Sequence, residues 1–226
     1  MKKLIYVAMA LALVAGCKSR GQQAAESVDV APTDSIAAAK AAQALPEEPV
    51  FDIVTNMGVI RVRLYKDTPL HRDNFEKLAL TGYYDSLLFH RVINGFMIQG
   101  GDPFTKDTSL VARYGEGGPS YTIPAEMRDS LGQPLHRHKR GALAAARRGD
   151  LANPFNESSG SQFYLVQNPD NCVHLDGEYT VFGETVAGLN VIDKIATVPT
   201  DRRDKPVIEV RILKIRPNNE LNCQKE

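Results

Sequence analysis

Val50-Phe51-Asp52-Ile53-Val54-Thr55-Asn56-Met57-Gly58-Val59-Ile60-Arg61-Val62-Arg63-Leu64-Tyr65 decides the fold class. The run Val50 to Thr55 is rich in β-formers, and Asn56-Met57-Gly58 is a turn signal. Beyond the turn, Ile60, Val62 and Leu64 alternate with Arg61, Arg63 and Tyr65. A period of two is that of a strand with one buried face. The two runs together predict a β-hairpin.

Towards the C-terminus the period changes. Thr68 before Pro69 predicts a helix start, with a capping hydroxyl followed by Pro at the first helical position. Phe75, Leu78 and Ala79 fall on one helical face, and Gly82 ends the element. Leu189, Ile192 and Ile195, preceded by Gly188, predict a second, shorter helix. Further β-prone runs are Leu87–Ile93, Phe163–Gln167 and Tyr179–Val186, and a last strand is expected over Val207–Ile215. Many short strands with two helices predict a mainly β protein, an antiparallel barrel or sandwich. Strands and helices do not alternate, which excludes a doubly wound sheet.

Towards the N-terminus, Lys2 and Lys3 precede an apolar run, Leu4 to Val14. It is shorter than the roughly 20 residues that a membrane span needs. It ends in Leu13-Val14-Ala15-Gly16-Cys17, small residues before a Cys, which resembles the lipobox of bacterial lipoproteins. That resemblance implies cleavage before Cys17 and lipid on it; the plainer alternative is an ordinary signal peptide with an incidental Cys. Residues 18 to 48 carry Ala, Gln and Ser, with no aromatic side chain to pack a core, and read as a spacer. The expected organisation is a leader over 1–16, a lipidated Cys and tether over 17–48, one domain over 49–217 and a tail over 218–226.

The 226 residues carry 27 basic and 27 acidic side chains, so nothing points to nucleic acid. Hydrophobic content of 43% with 24% charged residues fits a globular domain with a buried core. The basic run His136-Arg137-His138-Lys139-Arg140 reads as a solvated loop. His136 and His138 could hold a metal, but no carboxylate or Cys motif accompanies them. Gly115-Glu116-Gly117-Gly118-Pro119 is Gly-rich, yet lacks the Lys of a phosphate loop, and no Gly-x-Ser-x-Gly elbow is present. With Cys17 assigned to lipid, Cys172 and Cys223 are either a disulfide or two free thiols; both readings stand.

Two blocks carry the chemistry. One is Phe89-His90-Arg91-Val92-Ile93-Asn94-Gly95-Phe96-Met97-Ile98-Gln99-Gly100-Gly101-Asp102. The other is Ser159-Gly160-Ser161-Gln162-Phe163-Tyr164, followed by Leu175-Asp176-Gly177-Glu178-Tyr179-Thr180-Val181-Phe182-Gly183. In this order they resemble the cyclophilin family of peptidyl-prolyl isomerases, over about residues 50 to 216. Tyr121 to Glu126 and His138 to Leu143 resemble its bacterial branch. The resemblance implies a closed eight-stranded antiparallel barrel capped by two α-helices.

It also implies roles. A peptide C–N bond resists rotation with a barrier of about 18–20 kcal/mol, and an X–Pro bond exchanges isomers in tens to hundreds of seconds. A catalyst must favour the twisted amide, whose nitrogen regains a lone pair, over both planar forms. A permanently charged donor aimed at that nitrogen does so, and the family's catalytic Arg matches Arg91. Gln99 matches the residue that holds this Arg and bonds substrate backbone. Phe96, Met97, Tyr164 and Leu175 match the apolar socket for the proline ring. Ala146 and Arg147 match the segment that pairs with the peptide main chain, Gln162 matches a further substrate contact, and His174 and Tyr179 flank the site. His90 is expected to be structural, because rotation needs no proton transfer. His174 stands where many eukaryotic members have Trp, which puts tight cyclosporin binding in doubt. Tyr164 replaces Phe, Glu178-Tyr179 replaces Lys-His, and Arg147 replaces Asn at a position expected to act through its backbone. The implied partners are proline-containing polypeptides and, through Cys17, a membrane; no cofactor is implied, and a monomer is expected. A non-catalytic binder of Pro-containing segments and a purely structural envelope lipoprotein are the alternatives. The Arg–Phe–Met–Gln set favours catalysis.

Overall fold

The computed structural model describes residues 45–223, so the leader, Cys17 and most of the expected tether lie outside the described residues. The predicted hairpin forms β1 (Val50–Thr55) and β2 (Gly58–Leu64), in register from Val50 opposite Arg63 to Thr55 opposite Gly58. There follow α1 (Pro69–Leu80), β3 (Arg91–Ile93), β4 (Met97–Gly100), β5 (Thr122–Ile123), β6 (Ala142–Arg147), β7 (Ser158–Val166), β8 (Val181–Ala187), α2 (Leu189–Ala196), β9 (Ile212–Pro217) and a one-turn α3 (Asn219–Asn222). Eight strands form one antiparallel path in the order β3-β4-β7-β6-β8-β2-β1-β9, and β5 pairs with β7 beside it.

The protein is mainly β and antiparallel, but the expected closed barrel is corrected to an open, curled sheet. Its end strands, β3 and β9, do not pair. The reason is local. Val92 of β3 donates its backbone N–H to the Asp204 carbonyl at 2.8 Å, so a turn occupies the edge that β9 would need. Just before β3, backbone bonds join Ser86 and Leu87 to Ile212 and Phe89 to Val210, around an isolated bridge of Leu88 and Arg211, but they do not continue into β3. The last strand accordingly begins at Ile212, not at Val207.

Alternation sorts the side chains of the central strands onto two faces. Ile98 of β4, Leu143 and Ala145 of β6, and Phe163 and Leu165 of β7 join the main core. Met97, Ala142, Ala144, Tyr164 and Val166, their sequence neighbours, join a second cluster on the opposite face. Helix α1 packs on β7, β8 and β9 and sends Phe75, Leu78 and Ala79 into the main core; α2 packs on β2, β3 and β4. Phe75 meets four rings there: Phe51, Tyr84, Phe163 and Phe182. Burial of such rings contributes about 1.5–3 kcal/mol each.

Both ends of the described chain are tied to the domain. Leu45 packs against the core and the Glu47 carbonyl accepts from Arg72, so the last residues of the expected tether lie on the domain. The expected C-terminal tail starts as structure: Asn218 donates to Asp52 at 3.0 Å, and Asn222 exchanges bonds with the Val50 backbone at 2.8 and 3.1 Å.

The start of α1 differs from expectation. The Thr68 side chain makes no capping bond. Instead Glu126, from a distant loop, accepts from the backbone N–H groups of Leu70 and His71 at 3.0 Å each, and lies 2.6 Å from His71 Nδ1. A carboxylate there satisfies orphan donors and opposes the positive end of the helix dipole. Burial pushes the Glu126 carboxyl up, but the His71 ring and the two backbone N–H groups outweigh it, and the net shift is downward from 4.5. A depressed carboxyl adds stability above its unfolded-state pKa, and the gain is lost as pH falls through the lower folded value. Glu126→Gln turns one of the two acceptors into a donor facing an N–H group. Urea unfolding at pH 7 is expected to show a loss of about 1–3 kcal/mol, with the gap to wild type narrowing below about pH 4.3. Equal stability at pH 7 would refute this cap.

Candidate active site

Period-two geometry gathers the site. Arg91 and Ile93 of β3, Met97 and Gln99 of β4, Gln162 and Tyr164 of β7, and Ala144 and Ala146 of β6 occupy alternate positions on adjacent strands, on the face away from the main core. Register places Arg91 opposite Gln99, and Gln99 opposite Tyr164.

The polar half is a chain of amides. Gln162 donates from Nε2 to the Gly115 and Gly117 carbonyls at 2.9 and 2.7 Å. This fixes its flip, because only Nε2 can donate. Its Oε1 therefore faces Gln99, which donates to it at 3.0 Å. Gln99 is then left with Oε1 towards Arg91, whose Nη1 donates to it at 3.4 Å. The Arg91 side chain remains half-exposed, with Asp204 at 3.8 Å. The Gly-rich loop that begins this chain is held by buried Asp102, which accepts from the backbone N–H groups of Phe104, at 2.7 Å, and Gly115.

The apolar half is the second cluster. Met97, Tyr164 and Leu175 are buried in it, and Phe96, Ala146 and Tyr179 are half-buried against it. Tyr179 meets Tyr164 edge-on, ring centres 6.1 Å apart. Exposed His174 stacks on Phe96 at 6.3 Å. A cavity of about 590 Å³ adjoins this face beside Gln99, Gln162, Ala146 and Arg147, with the loop Gly115–Thr122 as its far wall.

Several residues differ from their sequence reading. His138, part of the run read as a solvated loop, is buried under Tyr164. Asp176 accepts from the His138 backbone at 2.8 Å and lies 2.9 Å from Nδ1. A carboxylate only accepts, so the ring proton sits on Nδ1, and Nε2 takes the Tyr164 hydroxyl proton at 2.8 Å. Burial lowers the His138 pKa although Asp176 raises it, favouring this neutral form. His136 instead stacks on Tyr65 and bonds Asp67, so the two imidazoles do not share a ligand. Arg147, expected to act through its backbone, has a nearly buried side chain with four partners, described below. Asp204 and the 115–117 carbonyls were missed: one is far along the chain with no motif, and the others are backbone. Burial pushes the His90 pKa down to about 4, which keeps its ring neutral, and neither ring nitrogen has a partner among the described residues. Cys172 is buried with a thiol pushed up to about 11 by burial, Cys223 is exposed, and both are free thiols.

Comparison with known proteins agrees with this geometry. Residues 50–217 match the family described as cyclophilin type peptidyl-prolyl cis-trans isomerase/CLD. A peptidyl-prolyl cis-trans isomerase-like 1 of Neurospora crassa is 38% identical over 165 residues, covering 73% of this chain and 91% of that one. A peptidyl-prolyl cis-trans isomerase-like 2 of Rhizopus delemar is 40% identical over 164 residues, 72% of this chain but 28% of that longer protein. The crystal structure of a cyclophilin type peptidyl-prolyl cis-trans isomerase from Cryptosporidium parvum superposes with a TM-score of 0.65 at 30% identity, covering 76% of this chain and 98% of the other. The same protein was also solved in the presence of the dipeptide Ala-Pro, with a TM-score of 0.64. With its alternating face of Arg, Gln and apolar residues and its family match over nearly the whole domain, the chain belongs to the cyclophilins and is a peptidyl-prolyl cis–trans isomerase.

Proposed function

We propose that this isomerase turns X–Pro bonds of exported polypeptides, and that Arg91 lowers the barrier by favouring the twisted amide. The observation that carries the reading is the juxtaposition of a half-exposed guanidinium, steered by Gln99, with the apolar cluster of Phe96, Met97, Tyr164 and Leu175 on one sheet face. The cluster takes the proline ring and holds one side of the bond. Gln99 and the Ala146–Arg147 backbone hold the peptide on the other side, with the neighbouring cavity receiving flanking residues. The relative solved with Ala-Pro supports a prolyl ligand of this kind.

Rotation breaks no bond, so the catalyst needs a donor where the lone pair emerges. A guanidinium is a permanently charged donor, so this role requires no proton transfer. His90, neutral at pH 7 and enclosed, fits a structural place beside it. Arg91→Ala is expected to cut kcat/KM about 10²–10³-fold, the usual loss for one such donor. Its exposed pair with Asp204 contributes little, so stability should stay within about 0.5 kcal/mol of wild type. A protease-coupled prolyl-peptide assay on the folded variant decides; turnover at the wild-type rate would defeat the assignment.

Lys2 and Lys3, the apolar run Leu4–Val14 and Leu13-Val14-Ala15-Gly16-Cys17 support export and a lipid anchor on Cys17. A monomeric domain then faces the periplasm from the cell envelope, reaching clients through the 18–48 spacer. Lipid chains contribute about 0.8 kcal/mol per buried CH₂, so several hold the protein at the membrane. Labelling of expressing cells with a fatty-acid analogue should mark the wild type and not Cys17→Ser, and the variant should move to the soluble fraction. Label retained on Cys17→Ser would remove the anchor from this account.

A further inference from the structure

Arg147 is held more tightly than any role for its backbone requires. The side chain is 5% exposed. Its guanidinium carbon lies 4.5 Å from the centre of the Tyr179 ring. Nε donates to the Glu178 carbonyl at 2.9 Å. Nη1 donates to the Asp150 carboxylate at 2.6 Å and to the Arg148 carbonyl at 3.2 Å, and Nη2 lies 3.9 Å from the Glu178 carboxylate. One flat cation thus joins three segments: the end of β6, the loop after it, and the 175–180 segment. Tyr179, stacked under that plane, presses edge-on against Tyr164. The Tyr164 hydroxyl is fixed separately by His138.

We propose that Arg147 is a positioning residue for the isomerase: its guanidinium holds Tyr179 against Tyr164 and so sets one wall of the ring-binding cluster. This rests on the reading of that cluster as the seat of the proline ring. The role demands Arg. A ring face, a carbonyl and a carboxylate are met together by a planar fork, which a Lys ammonium lacks. The wall touches a ring that keeps its shape while the amide turns. Its grip is therefore similar for cis, trans and twisted substrate, and such uniform binding moves KM and spares kcat. Arg91 and Gln99 are steered from Gln162 on the other side, with no contact to Arg147 in that chain.

The test is steady-state kinetics together with NMR titration of an Ala-Pro-containing peptide, on folded protein. Arg147→Ala should raise KM and Kd about five- to tenfold with kcat within twofold. Arg147→Lys should not rescue. Tyr179→Leu should show a similar rise, and the double variant no more than either single one, because both act through one wall. A merely structural role predicts the reverse split: less folded protein lowers apparent kcat and leaves KM and Kd alone. That reverse split, rescue by Lys, or additive losses in the double variant would overturn the proposal. Peptide binding needs no turnover, so a wild type that binds without isomerising defeats the Arg91 reading while the Kd shift still judges Arg147. A wild type that binds no prolyl peptide defeats both.

Discussion

The orientation of Arg91 depends on a pair of glutamine amides that can be satisfied in one way only. Gln162 has two carbonyls in front of its Nε2, those of Gly115 and Gly117. Reversing the amide would set its oxygen against both and would strand a buried polar group, a cost of about 1–3 kcal/mol. With that end fixed, Gln99 must donate to Gln162 and accept from Arg91. The asymmetry travels two side chains along the face without any charge in the relay itself. Its origin is the shape of the 115–117 loop. A Cβ at Gly117 would fall 2.1 Å from an Asp102 oxygen, so only glycine lets the backbone wrap that carboxylate closely enough to aim both carbonyls.

The same period of two that gives the core gives the site. Residues that alternate on β4, β6 and β7 divide between the main core and the second cluster, so a register slip of one would exchange them. Packing on both faces fixes the register strongly. The geometry of the candidate site thus inherits its precision from burial: Met97 and Tyr164 are anchored by the second cluster, and Ile98, Phe163 and Leu165, one residue away, by the main core. The alanines of β6 serve the same end. Small side chains at 142, 144, 145 and 146 let β6 sit between β7 and β8 with chains packed on both sides.

Elements governed by local chemistry were legible in the sequence. The hairpin reading of residues 50–65, the helical face of Phe75, Leu78 and Ala79, and the helix after Gly188 follow from period and turn residues, and the structure contains all three. The elements misread were those set by distant partners. Thr68 has the right chemistry for a cap, yet Glu126 reaches the helix donors first, and nothing near Thr68 signals it. Val207 to Arg211 have β-propensity, but Val207 bonds back to the Pro199 carbonyl, and the pairing of Val210 and Arg211 with Phe89 and Leu88 stops where Val92 turns to Asp204. The closed barrel failed for the same reason, since closure is a contact between the two ends of a path. His138 looked like one more cation in a basic run. Its burial is decided by Asp176 and Tyr164, 38 and 26 residues on.

The departures from the best-known cyclophilin pattern fall in one half of the site and are mutually compensating. A hydroxyl at Tyr164 would be an unmet polar group in an apolar cluster, but His138 accepts its proton and Asp176 orients His138. Tyr179 brings a second ring to that wall, and Arg147 supplies the flat charged face that backs it. His174, in place of an indole, stacks on Phe96 at the exposed edge. Among the described residues, none of these side chains hydrogen-bonds to Gln162, Gln99 or Arg91. The two halves of the face are thus held by different hydrogen-bond networks, although register sets Gln99 opposite Tyr164. Each added hydroxyl or ring on one side is met by a partner of its own, and the orientation of Arg91 still traces back to the glycine loop.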